Sequence, residues 1–233
     1  MLDVIHFTKR YGKTIACDDL NFSLPDGSVT VLLGPNGAGK STVMKAITGL
    51  LRFEGTILVD GAAHSLPSSR RKIGYIPEIP SFYSNLTVAE HMEFIARCYR
   101  LKNYKERAQE LLERFELLEH RKKFGDELSK GMQQKLNICI GLLTQPDILL
   151  LDEPFIGLDP HAIRQLREVI LELKRQGKVL LISTHIIDSI DALWDRTIIM
   201  QKGTIKADVL KESQSVSLED LFFAVTESSA SEH

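Results

Sequence analysis

The sequence predicts an α/β layered fold, a mostly parallel sheet with an all-helical segment set into it, and three observations carry that prediction. Apolar runs of strand length recur, and those around Leu32, Leu150 and Leu181 are continuous and rich in Val, Ile and Leu. Strands buried on both faces of a parallel sheet read this way. Helical patterns lie between several of these runs, and alternation of strand with helix marks the class. The stretch from Leu86 to Leu143 shows helical spacing and nothing that resembles a strand.

In chain order, the strand runs are Val29 to Leu33, Thr56 to Val59, Ile148 to Leu151, Val179 to Ile182 and Thr197 to Met200. A helical stretch, Thr42 to Leu50, follows the first. Thr87 with Glu90 three residues on spells a capping box. Ala108, Leu111, Leu112 and Phe115 repeat at helical spacing, as do Met132, Leu136, Cys139 and Leu143. The clearest helix has Asp159 as N-cap, Pro160 in the first position, Ile163, Leu166, Ile170 and Leu173 on one face, and Gly177 as its stop. These elements predict a single domain over residues 1–225. Its sheet core is formed by 1–85 and 144–225, its helical subdomain by 86–143, and a polar tail follows over 226–233.

Composition narrows the function. A net charge of −2 supplies no global attraction to nucleic acid or to an anionic membrane surface, and no nucleic-acid partner is expected. Cys17, Cys98 and Cys139 are odd in number, match no zinc spacing and read as reduced thiols. The N-terminal residues lack the apolar core of a signal peptide, and no run approaches the ~18 apolar residues of a spanning helix. If the protein acts at a membrane, another chain must supply the spans.

Gly34-Pro-Asn36-Gly37-Ala38-Gly39-Lys40-Ser41 follows a buried strand and precedes a helical stretch, which is the context a phosphate-binding loop (P-loop) requires. Its glycines let successive N–H groups turn inward at phosphate oxygens, and the helix N-terminus, from Thr42 on, adds the positive end of its dipole. Lys40 is expected to neutralise β and γ phosphates, and the Ser41 hydroxyl to coordinate Mg²⁺. These residues point to a P-loop NTPase that binds ATP. Ile148-Leu-Leu-Leu-Asp152-Glu153-Pro154 ends an apolar strand in two carboxylates. Alone it is equally a core strand running into a surface turn. Beside a phosphate loop, Asp152 fits the Mg²⁺ shell, Glu153 fits the base that orients and deprotonates the attacking water, and Pro154 ends the strand.

A series of motifs in order, from Tyr11 to His185 and including the two above, makes the chain resemble the nucleotide-binding subunit of an ATP-binding cassette (ABC) transporter. Tyr11, 23 residues before Gly34, matches the family's adenine-stacking aromatic. Tyr75-Ile-Pro-Glu78 sits where the family has its Q-loop, and Leu128-Ser129-Lys130-Gly131-Met132 where it has its LSGGQ signature. Phe155 to Asp159 matches the D-loop, and Ser183-Thr-His185 the switch histidine. The resemblance implies an antiparallel β subdomain at the N-terminus. It implies a dimer in which Ser129, Lys130, Gly131 and Met132 of one chain close over ATP held by the other, with Asp159 crossing near the interface and His185 reaching the γ-phosphate. Glu78 replaces the usual Gln: it either reaches Mg²⁺ and water or only lines the groove that meets the transmembrane partner. Ser129 is expected as an N-cap hydroxyl, Gly131 permits close backbone approach, Lys130 either adds a useful charge or is solvated, and Met132 is core packing.

The function implied is an ATP-hydrolysing motor subunit, a homodimer or heterodimer held peripherally at the cytoplasmic face of the cell membrane by a separate permease. The signature departures resemble export-type cassettes, and little sequence follows the last strand for an added regulatory domain. The alternative is a soluble ATPase of the same family acting in assembly, translation or on DNA.

Overall fold

The computed structural model describes residues 1–190, 192–213 and 217–227. Strands β1 (Leu2–Tyr11) and β2 (Thr14–Leu24) open the chain, and β3 (Val29–Leu33) leads into α1 (Lys40–Ile47). There follow β4 (Glu54–Val59), β5 (Ala62–Ala63), the short α2 (Pro67–Arg70) and β6 (Ile73–Ile76). Three helices come next, α3 (Val88–Cys98), α4 (Tyr104–Arg114) and α5 (Lys130–Leu143). The chain then runs through β7 (Ile148–Asp152), α6 (Pro160–Arg175), β8 (Val179–Thr184), β9 (Arg196–Gln201), β10 (Thr204–Leu210) and α7 (Leu218–Glu227).

Two sheets result. One has the order β10-β9-β3-β8-β7-β6 and is parallel except for the β9–β10 hairpin. Successive side chains of a strand point to opposite faces, and here both faces are covered. Val29, Val31, Leu33, Leu149, Leu151, Leu180 and Ile182 share a core with residues of α3 to α6. Leu32, Leu150, Leu181 and Ile198 share another with α1 and the second sheet. That second sheet, β2-β1-β4-β5, is wholly antiparallel, as the family resemblance implied. It takes the predicted run Thr56 to Val59 into β4. Strands β1 and β2 escaped the pattern reading because bulges reset their alternation: His6 and Asp19 both have positive φ, and their side chains meet at 2.8 Å.

The predicted caps are present. Thr87 accepts from the Glu90 amide at 3.3 Å while Glu90 accepts from the Thr87 amide at 2.8 Å, which holds the Glu90 carboxyl below its ordinary range. Asp159 caps α6 by accepting from the Ala162 amide at 2.9 Å. Arg114 forks onto Glu172, both bonds at 2.8 Å, and ties α4 to α6. Helix α7 runs to Glu227, so Thr226 and Glu227 of the expected polar tail are helical, and residues 228–233 lie outside the described residues. No helix among the described residues is long and apolar enough to cross a membrane.

The three cysteines are free thiols. Cys98 is exposed, while Cys17 and Cys139 are buried and burial pushes both thiols up, Cys17 to about 12. A thiol attacks as thiolate. Titration of the native chain with a disulfide reagent at neutral pH is therefore expected to consume one thiol, Cys98, and all three after denaturation.

Candidate functional site

The parallel order of β3, β8 and β7 brings their C-terminal ends to one edge of the sheet, where open α/β sheets bind ligands. The loop after β3, the carboxylates after β7 and the histidine after β8 meet there. They border a cleft of about 420 Å³ lined by Ala16, Asn36, Gly37, Ala38, Gly39, Lys40, Ser41, Thr42, Glu78 and Glu153.

One wall is the N-terminus of α1. Its cap is Gly39, with no side-chain hydrogen bond and no acidic residue in the first turn. The terminal amides and the positive dipole end are thus left for an anion. Only glycine suits position 39: φ is +105°, and a Cβ would stand 2.8 Å from both the Ala16 carbonyl and the Cys17 sulfur. Lys40 is buried at the positive end of a helix, an unfavourable place for a cation. Its ammonium is offset by donating to the Gly34 carbonyl at 2.7 Å and the Pro35 carbonyl at 3.3 Å, and by Glu153 Oε1 at 3.5 Å.

The other wall is built around Asp152. Register places it opposite Ser183. Its Oδ1 accepts from Ser183 at 2.5 Å and from Ser41 at 3.0 Å, and its Oδ2 from the Tyr75 hydroxyl at 3.1 Å. Burial, then the charges of Asp152 and Glu78, raise the Tyr75 phenol, which stays a neutral donor. Glu153 turns out of the strand with φ +46°, a left-handed conformation unusual for a side chain of this kind. Its amide is held by the Ser183 carbonyl and hydroxyl, each at 3.1 Å, and its Oε1 accepts from His185 Nδ1 at 2.8 Å.

Among the described residues no three His, Cys, Asp or Glu side chains gather as a metal cage. Magnesium needs none: it binds through one or two carboxylates together with phosphate oxygens and water. Asp152 Oδ1 and Ser41 Oγ, oxygen donors 3.0 Å apart at the loop, fit that pattern.

The expected residues divide. Those of the loop with Asp152, Glu153, His185 and Glu78 are brought together at this edge. Tyr11 does not line the cleft: its ring is half exposed, with Lys9 Nζ 4.8 Å from its centre, and Ala16 lines the cleft instead. Ser129, Lys130, Gly131 and Met132 also lie outside the cleft lining. Ser129 caps α5, Lys130 is exposed, and Met132 packs on the core. Asp159 is engaged within its own chain by Lys135 at 2.8 Å, which with the helix cap holds its carboxyl below the usual range. Ser183 and Tyr75 are the members that motif reading passed over as flanking residues. Their signal was positional, since both occupy strands beside β7.

The sequence model of the family described as ABC transporter matches residues 17–156. The chain is 37% identical over 223 residues to the lantibiotic transport ATP-binding protein SrtF of Streptococcus pyogenes, a span covering 95% of this chain and 96% of that one. It is 35% identical over 242 residues to the ABC-type transporter ATP-binding protein EcsA of Bacillus subtilis, covering 99% and 98%. A solved structure of an ATP-binding subunit of an ABC transporter superposes with a TM-score of 0.92 at 34% identity, over 97% of this chain and 99% of that one. These likenesses place the chain, with its cleft at the end of the parallel strands, in the ABC transporter family, as an ATP-binding subunit that hydrolyses ATP.

Proposed function

We propose that this chain is the motor of an export-type transporter, with Glu153 as the catalytic base and a paired second chain completing each nucleotide site. The observation that carries the reading is the convergence, in one cleft, of an uncapped helix terminus, the buried Lys40 and a Glu153 carboxylate held by His185. Similarity to a lantibiotic transport subunit along nearly the whole chain supports export. The relatives are named as transporter subunits, which does not favour a soluble ATPase of assembly, translation or DNA.

In this reading the amides of residues 37–42 and the Lys40 ammonium take the triphosphate. Lys40 exchanges loop carbonyls for phosphate oxygens, so its charge is compensated in both states. Tyr11 stacks on the base once the base is present. Ser41 and Asp152, with Glu78 reaching in from the loop after β6, would hold magnesium, which would neutralise phosphate charge there. Glu153 accepts a proton from the water whose oxygen attacks the γ-phosphorus. The bond to the β-bridging oxygen breaks, and ADP and phosphate leave. His185 keeps the carboxylate oriented and reaches the γ-phosphate.

ATP-binding subunits of this family pair with one another and with transmembrane components. Here Ser129, Lys130 and Gly131 present the start of α5 to the partner's nucleotide, a second helix terminus meeting the same anion. Exposed Ile79, Tyr83 and Phe94, on the loop after β6 and on α3, form the face that meets the permease. The chain thus sits peripherally on the cytoplasmic side of the membrane.

Replacing Glu153 by Gln is expected to leave ATP binding intact while hydrolysis falls by roughly 10²-fold or more, with an ATP-bound dimer accumulating on size-exclusion chromatography. A variant hydrolysing at the wild-type rate removes Glu153 from the base role. Lys40→Ala is expected to cost about 2 kcal/mol of nucleotide affinity, or roughly 30-fold. Unchanged affinity by calorimetry contradicts the loop assignment.

A further inference from the structure

Beyond its N-terminal turn, α5 buries three polar side chains in its next turns. Gln134 is 3% exposed, Lys135 8% and Asn137 7%. Apolar residues of similar volume are often at least as stable in such places, so buried polar groups invite another explanation. Their partners supply one. Gln134 Nε2 donates to the Pro154 carbonyl at 3.3 Å, one residue past Glu153. Asn137 Nδ2 donates to the Pro77 carbonyl at 2.8 Å, one residue before Glu78, and reaches Gln134 Oε1 at 3.4 Å. Lys135 Nζ is held between Asp159 at 2.8 Å and Glu116 at 3.0 Å. A Cβ on Gly131 would stand 2.9 Å from the Gly157 carbonyl, so the helix start and the loop after β7 touch backbone to backbone.

We infer that Gln134 and Asn137, with Lys135 beside them, are positioning residues that fasten the helix bearing the Ser129 cap to the loops carrying Glu153, Glu78 and Asp159 of the same chain. Residues 134 and 137 lie three apart and share one face. Gln134 lies only about 7 Å along the axis from Ser129. A displacement of α5 as its first turn meets the partner's nucleotide is therefore delivered to the Pro154 and Pro77 carbonyls through two hydrogen bonds. Glu153 sits next to one of them in a backbone conformation that needs support from its surroundings. Each chain's catalytic carboxylates thus sense whether the other chain's nucleotide has been engaged.

This inference rests on the reading proposed above, and the test separates the two. The full chain carrying Gln134→Met with Asn137→Leu keeps the helix apolar and filled but removes both donors. Its kcat is expected to fall on the order of tenfold, since small misplacements of catalytic groups are costly. KM and ATP affinity are expected to stay within about twofold, the signature of an interaction realised only at the chemical step. Cys139→Ala, buried in the same helix with its thiol donating to the Leu111 carbonyl of α4 at 3.4 Å, serves as the packing control: it is expected to lose stability and keep kcat. A folded double variant with wild-type kcat overturns the inference, and so does an equal loss of kcat in Cys139→Ala. Should the double variant fail to fold, single Asn137→Ser is expected to show the same loss of kcat with KM held, and wild-type kcat there overturns it too. A wild-type chain that binds no ATP, or a Glu153→Gln chain that hydrolyses normally, instead sinks the reading on which the inference stands.

Discussion

The site depends on one carboxylate. Asp152 accepts hydrogen bonds from Ser41 at the start of α1, from Ser183 on β8 and from Tyr75 on β6, so three elements far apart in sequence are drawn to a single buried group. An ionised carboxylate can only accept, and burying one without donors costs several kcal/mol. The parallel register that sets Asp152 opposite Ser183 is therefore more than sheet geometry. It puts a donor where the charge must be compensated, and the loop that grips phosphate is held against the same group through Ser41.

Glu153 follows directly and bears the strain of that arrangement. Its positive φ swings the side chain away from the strand direction and toward Lys40 and His185. A conformation of this kind costs of order 1–3 kcal/mol and persists only where neighbours over-determine it. Ser183 does so twice, with its carbonyl and its hydroxyl both on the Glu153 amide.

Much of this was legible in the sequence because it rests on local rules. The phosphate loop, the Thr87–Glu90 capping box and the α6 boundaries follow from residues a few positions apart, and continuous apolar runs announce β3, β7 and β8. What was not legible depends on partners distant in the chain. The bulged β1–β2 pair hides its alternation, and Tyr75 acquires its role only because β6 lies beside β7. Motif spacing singles out Tyr11, whose half-exposed ring lies against Lys9 and outside the cleft lining. Asp159 was read both as a cap and as a residue of the interface, and in the single chain the cap and Lys135 occupy it.

Helix α1 begins without a side chain to finish it. Nucleotide is then the missing end-piece of the fold as well as its fuel. A ligand held only by the folded form adds stability in proportion to the logarithm of its concentration, about 2.7 kcal/mol at a hundredfold excess over Kd. In a cell rich in ATP the chain is accordingly sturdier than when energy runs short.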